Sequence, residues 1–152
     1  MIRPFFLDGE VLRVLDQRLL PREERWLDVT DCDGCAEVIS TMAVRGAPAI
    51  GCVAAWGMAF AARELAAAAG LPEPDARRRL RDAGERLVAT RPTAVNLPWA
   101  VARLLSVADA TPVAQWPARL AHEAEAVTAE DLAACLVIGR HGLDALPPGR
   151  LT

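Results

Sequence analysis

The hydrophobic pattern of this chain changes period near residue 30. Before that point the apolar residues come in short runs. Val11-Leu12-Arg13-Val14-Leu15 and Trp26-Leu27-Asp28-Val29 are rich in β-branched and aromatic residues, and Pro21 and the charged Arg22-Glu23-Glu24-Arg25 separate them. They predict two strands of a small antiparallel sheet. After Thr30 the spacing becomes helical. Thr30-Asp31 supplies a cap, and Cys35, Val38, Ile39 and Met42 follow at i, i+3, i+4 and i+7, which predicts a first helix. Residues 49–62 contain no charge at all, the mark of a helix buried on every side, and the pattern carries it to about residue 69 before Gly70, Pro72 and Pro74. Asp75 opens a third helix with Leu80, Ala83, Leu87 and Val88 inward. Leu97, Ala100, Val101, Leu104, Leu105 and Ala108 define a fourth. The last helical region covers residues 117–146, with an interruption expected at Thr128-Ala129-Glu130-Asp131, which reads as an internal capping box. The fold class expected is α+β: one mostly helical domain over residues 1–152 with a small antiparallel sheet at its N-terminal end.

The start of the uncharged helix is where chemistry is expected. Pro48 suits a first helical position, so Arg45, Gly46 and Ala47 stand just ahead of a helix whose first N–H groups have no partner. Those donors, the positive end of the helix dipole and the forked Arg45 guanidinium form an anion-binding geometry, and Gly46 allows close approach to the backbone. The alternative is a plain turn into a core helix with a solvated arginine.

Composition narrows the function classes. With 53% hydrophobic residues in 152, the chain can fill a core. A net charge of −3 argues against a nucleic-acid or anionic-membrane surface, which rewards clustered positive charge. All 17 basic residues are arginine, so neither a Schiff base nor a phosphate contact can come from lysine. Arg77, Arg78, Arg79 and Arg81 interleave with Glu73, Asp75, Asp82 and Glu85 and read as a salt-bridged face. Residues 1–10 lack a signal-peptide apolar core and residues 46–62 are too short and too punctuated to span a bilayer, so a cytoplasmic location, without a membrane partner, is expected. Cys32-Asp33-Gly34-Cys35 has redox or metal spacing, but Asp31 and Asp33 would oppose a thiolate and no second pair completes a zinc set. No metal and no cofactor are expected. Cys52 and Cys135 read as core residues, and His122 and His141 as structural ones.

Met42-Ala43-Val44-Arg45-Gly46-Ala47-Pro48-Ala49-Ile50-Gly51 resembles the signature of the methylthioribose-1-phosphate isomerase family, the aldose-ketose isomerases of methionine salvage. Val14-Leu15-Asp16-Gln17 with Leu20-Pro21, Arg91-Pro92-Thr93-Ala94-Val95-Asn96-Leu97, and the helix carrying Ile138-Gly139 and Gly142 resemble it too, in the family's order. The resemblance implies the N-terminal domain of a two-domain protein whose Rossmann-like C-terminal domain is absent here. It implies that Arg45, Gly46, Ala47 and Arg91 bind a sugar phosphate, and that the partners are the missing C-terminal half and, as a homodimer, a second copy. From its position alone, after a helix and before Pro92, Arg91 could equally cap the helix.

The resemblance also implies that no catalytic residue lies in this chain. The family's cysteine follows a Leu-Thr pair as His-Cys-Asn, and this sequence ends at Leu151-Thr152. An N-terminal fragment or one piece of a cleaved enzyme is therefore expected, inactive alone. Two other readings stay open: a regulatory protein related to the initiation factor 2B subunits, or a sister isomerase acting on ribose 1,5-bisphosphate or 5-deoxyribose 1-phosphate.

Overall fold

A computed structural model describes residues 3–146. Three antiparallel strands come first, in the order β1-β2-β3: β1 (Phe5–Asp8), β2 (Val11–Leu15) and β3 (Trp26–Val29). The predicted pair is there with its predicted limits, in register from Leu12 opposite Val29 to Leu15 opposite Trp26. β1 is an addition, because Phe5-Phe6-Leu7-Asp8 shows no alternation that would mark it as a strand. Gly9, at φ +60°, makes the turn that brings it back onto β2.

Five helices follow: α1 (Cys32–Ser40), α2 (Ala47–Ala67), α3 (Glu73–Thr90), α4 (Asn96–Asp109) and α5 (Trp116–Asp144). The Asp31 side chain accepts from the Gly34 N–H at 2.7 Å and caps α1. Met42 is a correction. It lies beyond α1, at φ +61° and 40% exposed, because the chain turns sharply there to reach the next helix. α3 begins two residues before Asp75, with Glu73 and Asp75 in its first turn, where the helix dipole favours acids.

α2 is the axis of the domain. Every residue of 50–62 on it is buried, enclosed by α1, α3, α4 and α5. By length and composition it could cross a membrane, yet 72% of its most apolar window is buried inside the fold, as befits a core helix. Trp116 anchors the start of α5: it is fully buried, donates its indole N–H to the carbonyls of Ala108 and Thr111, and lies under the Arg77 guanidinium.

α5 runs without the expected break. The side chains that would form the capping box are engaged elsewhere: the Thr128 hydroxyl donates to the Ala124 carbonyl at 2.9 Å, and Glu130 pairs with Arg103 on α4. Past Val127 nothing on α5 is buried. Cys135, expected in the core, is therefore exposed.

Candidate functional site

Five backbone and side-chain features fix the start of α2. Ala43 and Val44 are fully buried; the Gln17 N–H donates to the Ala43 carbonyl at 2.8 Å, and the Val44 N–H to the Val38 carbonyl at 3.1 Å. These bonds pin the loop from both sides, so Arg45 is the first residue free to face solvent. Gly46 is the helix N-cap at φ +95°, a conformation that a side chain would strain, and offers no capping side chain. Pro48 is the second helical residue, not the first, and has no N–H to leave unpaired.

The first intrahelical bond goes from the Ile50 N–H to the Gly46 carbonyl at 3.0 Å. The N–H groups of Ala47 and Ala49 accordingly have no partner among the described residues, and both residues stand at the surface end of a helix otherwise enclosed. Arg45 is exposed and forms no ion pair among the described residues. The mouth thus combines two backbone donors, a helix dipole and one guanidinium without a carboxylate partner, an arrangement suited to an oxyanion.

Arg91 opens the α3–α4 linker, whose far end meets α2. It ends α3 as the C-cap, at φ −147° and ψ +78°, with its N–H directed to the Val88 carbonyl, and its own carbonyl accepts from the Ala94 N–H at 3.0 Å. The linker then meets α2: a Cβ on Gly51 would lie 3.0 Å from the Asn96 carbonyl oxygen. Both readings of Arg91 had physical ground. The capping contact that forms uses its backbone, and the half-buried side chain makes no ion pair among the described residues.

Asp16 belongs to the same neighbourhood, and sequence reasoning gave it no role. It is buried at 2% exposure, accepts from Arg18 through Nε and Nη2 at 2.7 Å each, and is followed by the Gln17 that holds Ala43. Its hydrogen bonds to Arg18 hold the carboxyl below its ordinary range. A buried carboxylate directly before the loop-pinning residue reads as a positioning group.

The cysteine pair has another character. Cys32 and Cys35 are buried free thiols at the start of α1; burial pushes Cys32 up to about 11 and Cys35 well above the ordinary range, so desolvation, more than Asp31 or Asp33, suppresses the thiolates. No group of three or more metal-ligating side chains occurs among the described residues. A groove of about 340 Å³ beside Cys32 is lined by Asp31, Asp33, Glu64, Asp82, Arg79 and Arg86, four carboxylates against two guanidiniums, which does not favour an anion. It opens beside Ala61, about 21 Å along α2 from Ala47 at the helical rise per residue. Arg77 and Arg78 pair with Glu73 and Asp75, as the interleaved charges predict, whereas Arg81 reaches across to Asp109 on α4 instead of an acid of its own helix.

The class defined by this fold and mouth is a helical domain built around a buried, anion-ready helix. The chain belongs to the initiation factor 2 subunit family, whose model matches residues 43–150. It is 48% identical over 149 residues to the methylthioribose-1-phosphate isomerase of Anaeromyxobacter sp. (strain Fw109-5), covering 97% of this chain and 40% of that protein. It is also 48% identical over 142 residues to the isomerase of the same name from Gemmatimonas aurantiaca, again over 40% of that protein. Among solved structures it superposes on the 5-methylthioribose 1-phosphate isomerase of Pyrococcus horikoshii OT3 with a TM-score of 0.86 at 32% identity, covering 97% of this chain and 41% of that one. Subunit delta of translation initiation factor eIF-2B from A. fulgidus follows with a TM-score of 0.77 at 33% identity, covering 87% of this chain and 38% of that one. The chain thus corresponds to the N-terminal part of these isomerases, about 40% of their length.

Proposed function

We propose that this chain is the phosphate-holding N-terminal part of an aldose-ketose isomerase that converts 5-methylthioribose 1-phosphate to 5-methylthioribulose 1-phosphate. One observation supports the reading above all. Three segments far apart in sequence, 14–21, 42–51 and 91–97, meet at the mouth of α2 through the Gln17–Ala43 hydrogen bond and the Gly51–Asn96 contact. They are three of the four segments on which the resemblance to the isomerases rests.

The chemistry explains the division of labour. Moving hydrogen between C1 and C2 of the sugar requires the ring open, the phosphate fixed and water kept away. Arg45 and the N–H groups of Ala47 and Ala49 hold the phosphate at the end of a rigid helix, Gly46 lets it approach, and Arg91 adds the second cation. Acid-base catalysis falls to a cysteine and an aspartate of the C-terminal part, beyond Thr152. The complete protein acts as a homodimer in the cytoplasm and takes up no metal or cofactor.

The test is a fusion of this chain to the C-terminal part of the Anaeromyxobacter isomerase, assayed for sugar-phosphate isomerisation. Turnover by the fusion and none by the 152-residue chain is the expected result. Turnover by the pure chain would overturn the division of roles. The TM-score of 0.77 with the initiation factor subunit supports a second reading, a regulatory domain that binds ligand without converting it. A folded fusion that binds the sugar phosphate but never turns it over would favour that reading. Ribose 1,5-bisphosphate and 5-deoxyribose 1-phosphate, run in parallel, separate the sister isomerases.

A further inference from the structure

Among the described residues, Asp16 is the one charged side chain that the fold buries. A carboxylate is costly to take out of water and persists inside a protein only where donors hold it. Here all three side-chain hydrogen bonds come from Arg18: the backbone N–H reaches Oδ1 at 3.2 Å, Nε reaches Oδ1 at 2.7 Å and Nη2 reaches Oδ2 at 2.7 Å. The Leu19 N–H also returns to the Asp16 carbonyl, at 3.2 Å. Residues 16–19 are thereby locked into a tight turn at the end of β2. Asparagine or serine can close such a turn without a charge. What the ion pair adds is fixed geometry, since a forked guanidinium bound to both carboxylate oxygens tolerates little rotation.

The turn matters for what its next residue holds. Asp16 donates its own N–H to the Arg25 carbonyl at 2.8 Å, and Gln17 donates the following one to the Ala43 carbonyl at 2.8 Å. Ala43 stands two residues before Arg45. The segment it opens has little rigidity of its own, because Met42 at φ +61° and Gly46 at φ +95° bracket it. Among the described residues the backbone of 43–45 has two hydrogen bonds, from Gln17 to Ala43 and from Val44 to the Val38 carbonyl. One comes from α1 and the other from the residue that the Asp16–Arg18 turn presents.

We infer that the Asp16–Arg18 pair is the positioning device of the phosphate site: without touching the ligand, it holds Gln17 so that Ala43, and with it Arg45, is fixed before the anion arrives. The inference rests on the proposed reading of the α2 mouth as that site. A mouth assembled in advance binds more tightly, because the ligand does not have to order it. The coupling also runs in reverse, since an anion that binds the ordered mouth better must favour the turn that orders it.

The experiment uses the fusion to the C-terminal part of the Anaeromyxobacter isomerase for kinetics and the 152-residue chain for amide exchange. Asp16→Ala should raise KM for 5-methylthioribose 1-phosphate by about tenfold and leave kcat within about twofold, because a phosphate held alike in substrate and transition state contributes uniform binding. Asp16→Asn, which keeps one acceptor for Arg18, should recover part of the loss. A merely structural role would lower the thermal midpoint and leave KM of the folded enzyme unchanged, and that outcome would overturn the inference. Amide exchange needs neither a variant nor turnover: saturating inorganic phosphate should slow the Gln17, Arg18 and Val44 amides of the unmodified chain by about threefold or more, a local protection. Slowing confined to Gly46, Ala47 and Ala49 would also overturn it. Arg45→Ala separates this inference from the reading beneath it. If phosphate protects nothing at the α2 entry and Arg45→Ala leaves KM unchanged, the phosphate mouth falls and the inference with it. If Arg45→Ala raises KM and both Asp16 variants leave it unchanged, the positioning pair alone falls.

Discussion

Gly51 and Asn96 touch closely enough that a side chain at residue 51 would press on its neighbour: a Cβ there would sit 3.0 Å from the Asn96 carbonyl oxygen and 3.2 Å from its Cβ. Backbone, not a flexible side-chain tip, is the obstacle. Gly51→Ala should therefore push the 91–95 linker away from α2, at a cost of about 1–3 kcal/mol typical of overpacking. Thermal unfolding would show it as a lowered midpoint, and phosphate binding should weaken in parallel if the linker brings Arg91 to the mouth. A midpoint equal to that of the unmodified chain would contradict this contact.

Arg45→Ala should behave in the opposite way. The side chain is exposed and without an ion pair among the described residues, so stability should change by no more than about 0.5 kcal/mol. Affinity for the sugar phosphate should fall by about tenfold or more, since a charge-assisted contact to an anion contributes on the order of 1.5–3 kcal/mol. Isothermal titration beside a melting curve separates the two effects. Arg45→Lys should recover only part of the affinity, because an ammonium cannot reproduce the fork.

Asp16 gives a pH prediction. Arg18 holds its carboxyl below the ordinary value of 3.8, so the folded state binds this proton less tightly than the unfolded one. The stabilisation is present above pH 3.8 and is lost as the pH falls through the lower folded value. Asp16→Asn should be destabilised at pH 7, and the gap to the unmodified chain should narrow once the pH drops below that window. Denaturant midpoints measured at pH 7, 4 and about 2.5 check the sign; a gap that widens in acid would refute it.

The thiols should divide into one fast and three slow groups. Cys32, Cys35 and Cys52 are buried, and burial pushes Cys32 up to about 11 and Cys52 up to about 12, whereas Cys135 is exposed. A colorimetric thiol reagent at pH 8 should titrate one equivalent of the native 152-residue chain quickly and four after denaturation, and Cys135→Ser should remove the fast one. Rapid reaction of Cys32 would reopen the redox reading of the pair.

Much of this fold was legible in the sequence because its signals are local. The 50–62 core run, the Asp31 cap, the Gly46-Ala47-Pro48 entry and the strands β2 and β3 each depend on residues within a few positions of one another. What escaped depends on tertiary context. β1 is a strand because β2 pairs with it. The Thr128-to-Asp131 capping box fails because Trp56 and Arg103 reach those side chains from elsewhere in the fold. Cys135 follows an apolar pattern that the sequence reads as core, yet it lies exposed on the part of α5 past its last buried residue, Val127. For the site, Arg45, Gly46 and Ala47 could be picked out from a helix entry alone. Arg91 could not be read from its position alone, and what the structure adds is that Asn96, five residues further on, meets Gly51 of α2.

The central claim is that the mouth of α2 holds the phosphate, and an amide NMR titration of the isotope-labelled chain with 5-methylthioribose 1-phosphate, with inorganic phosphate in parallel, tests it most directly. The account predicts the largest shifts at the Gly46, Ala47 and Ala49 amides and their loss in Arg45→Ala. Shifts confined to the arginines of α3, or none at the α2 entry at saturating ligand, would contradict it.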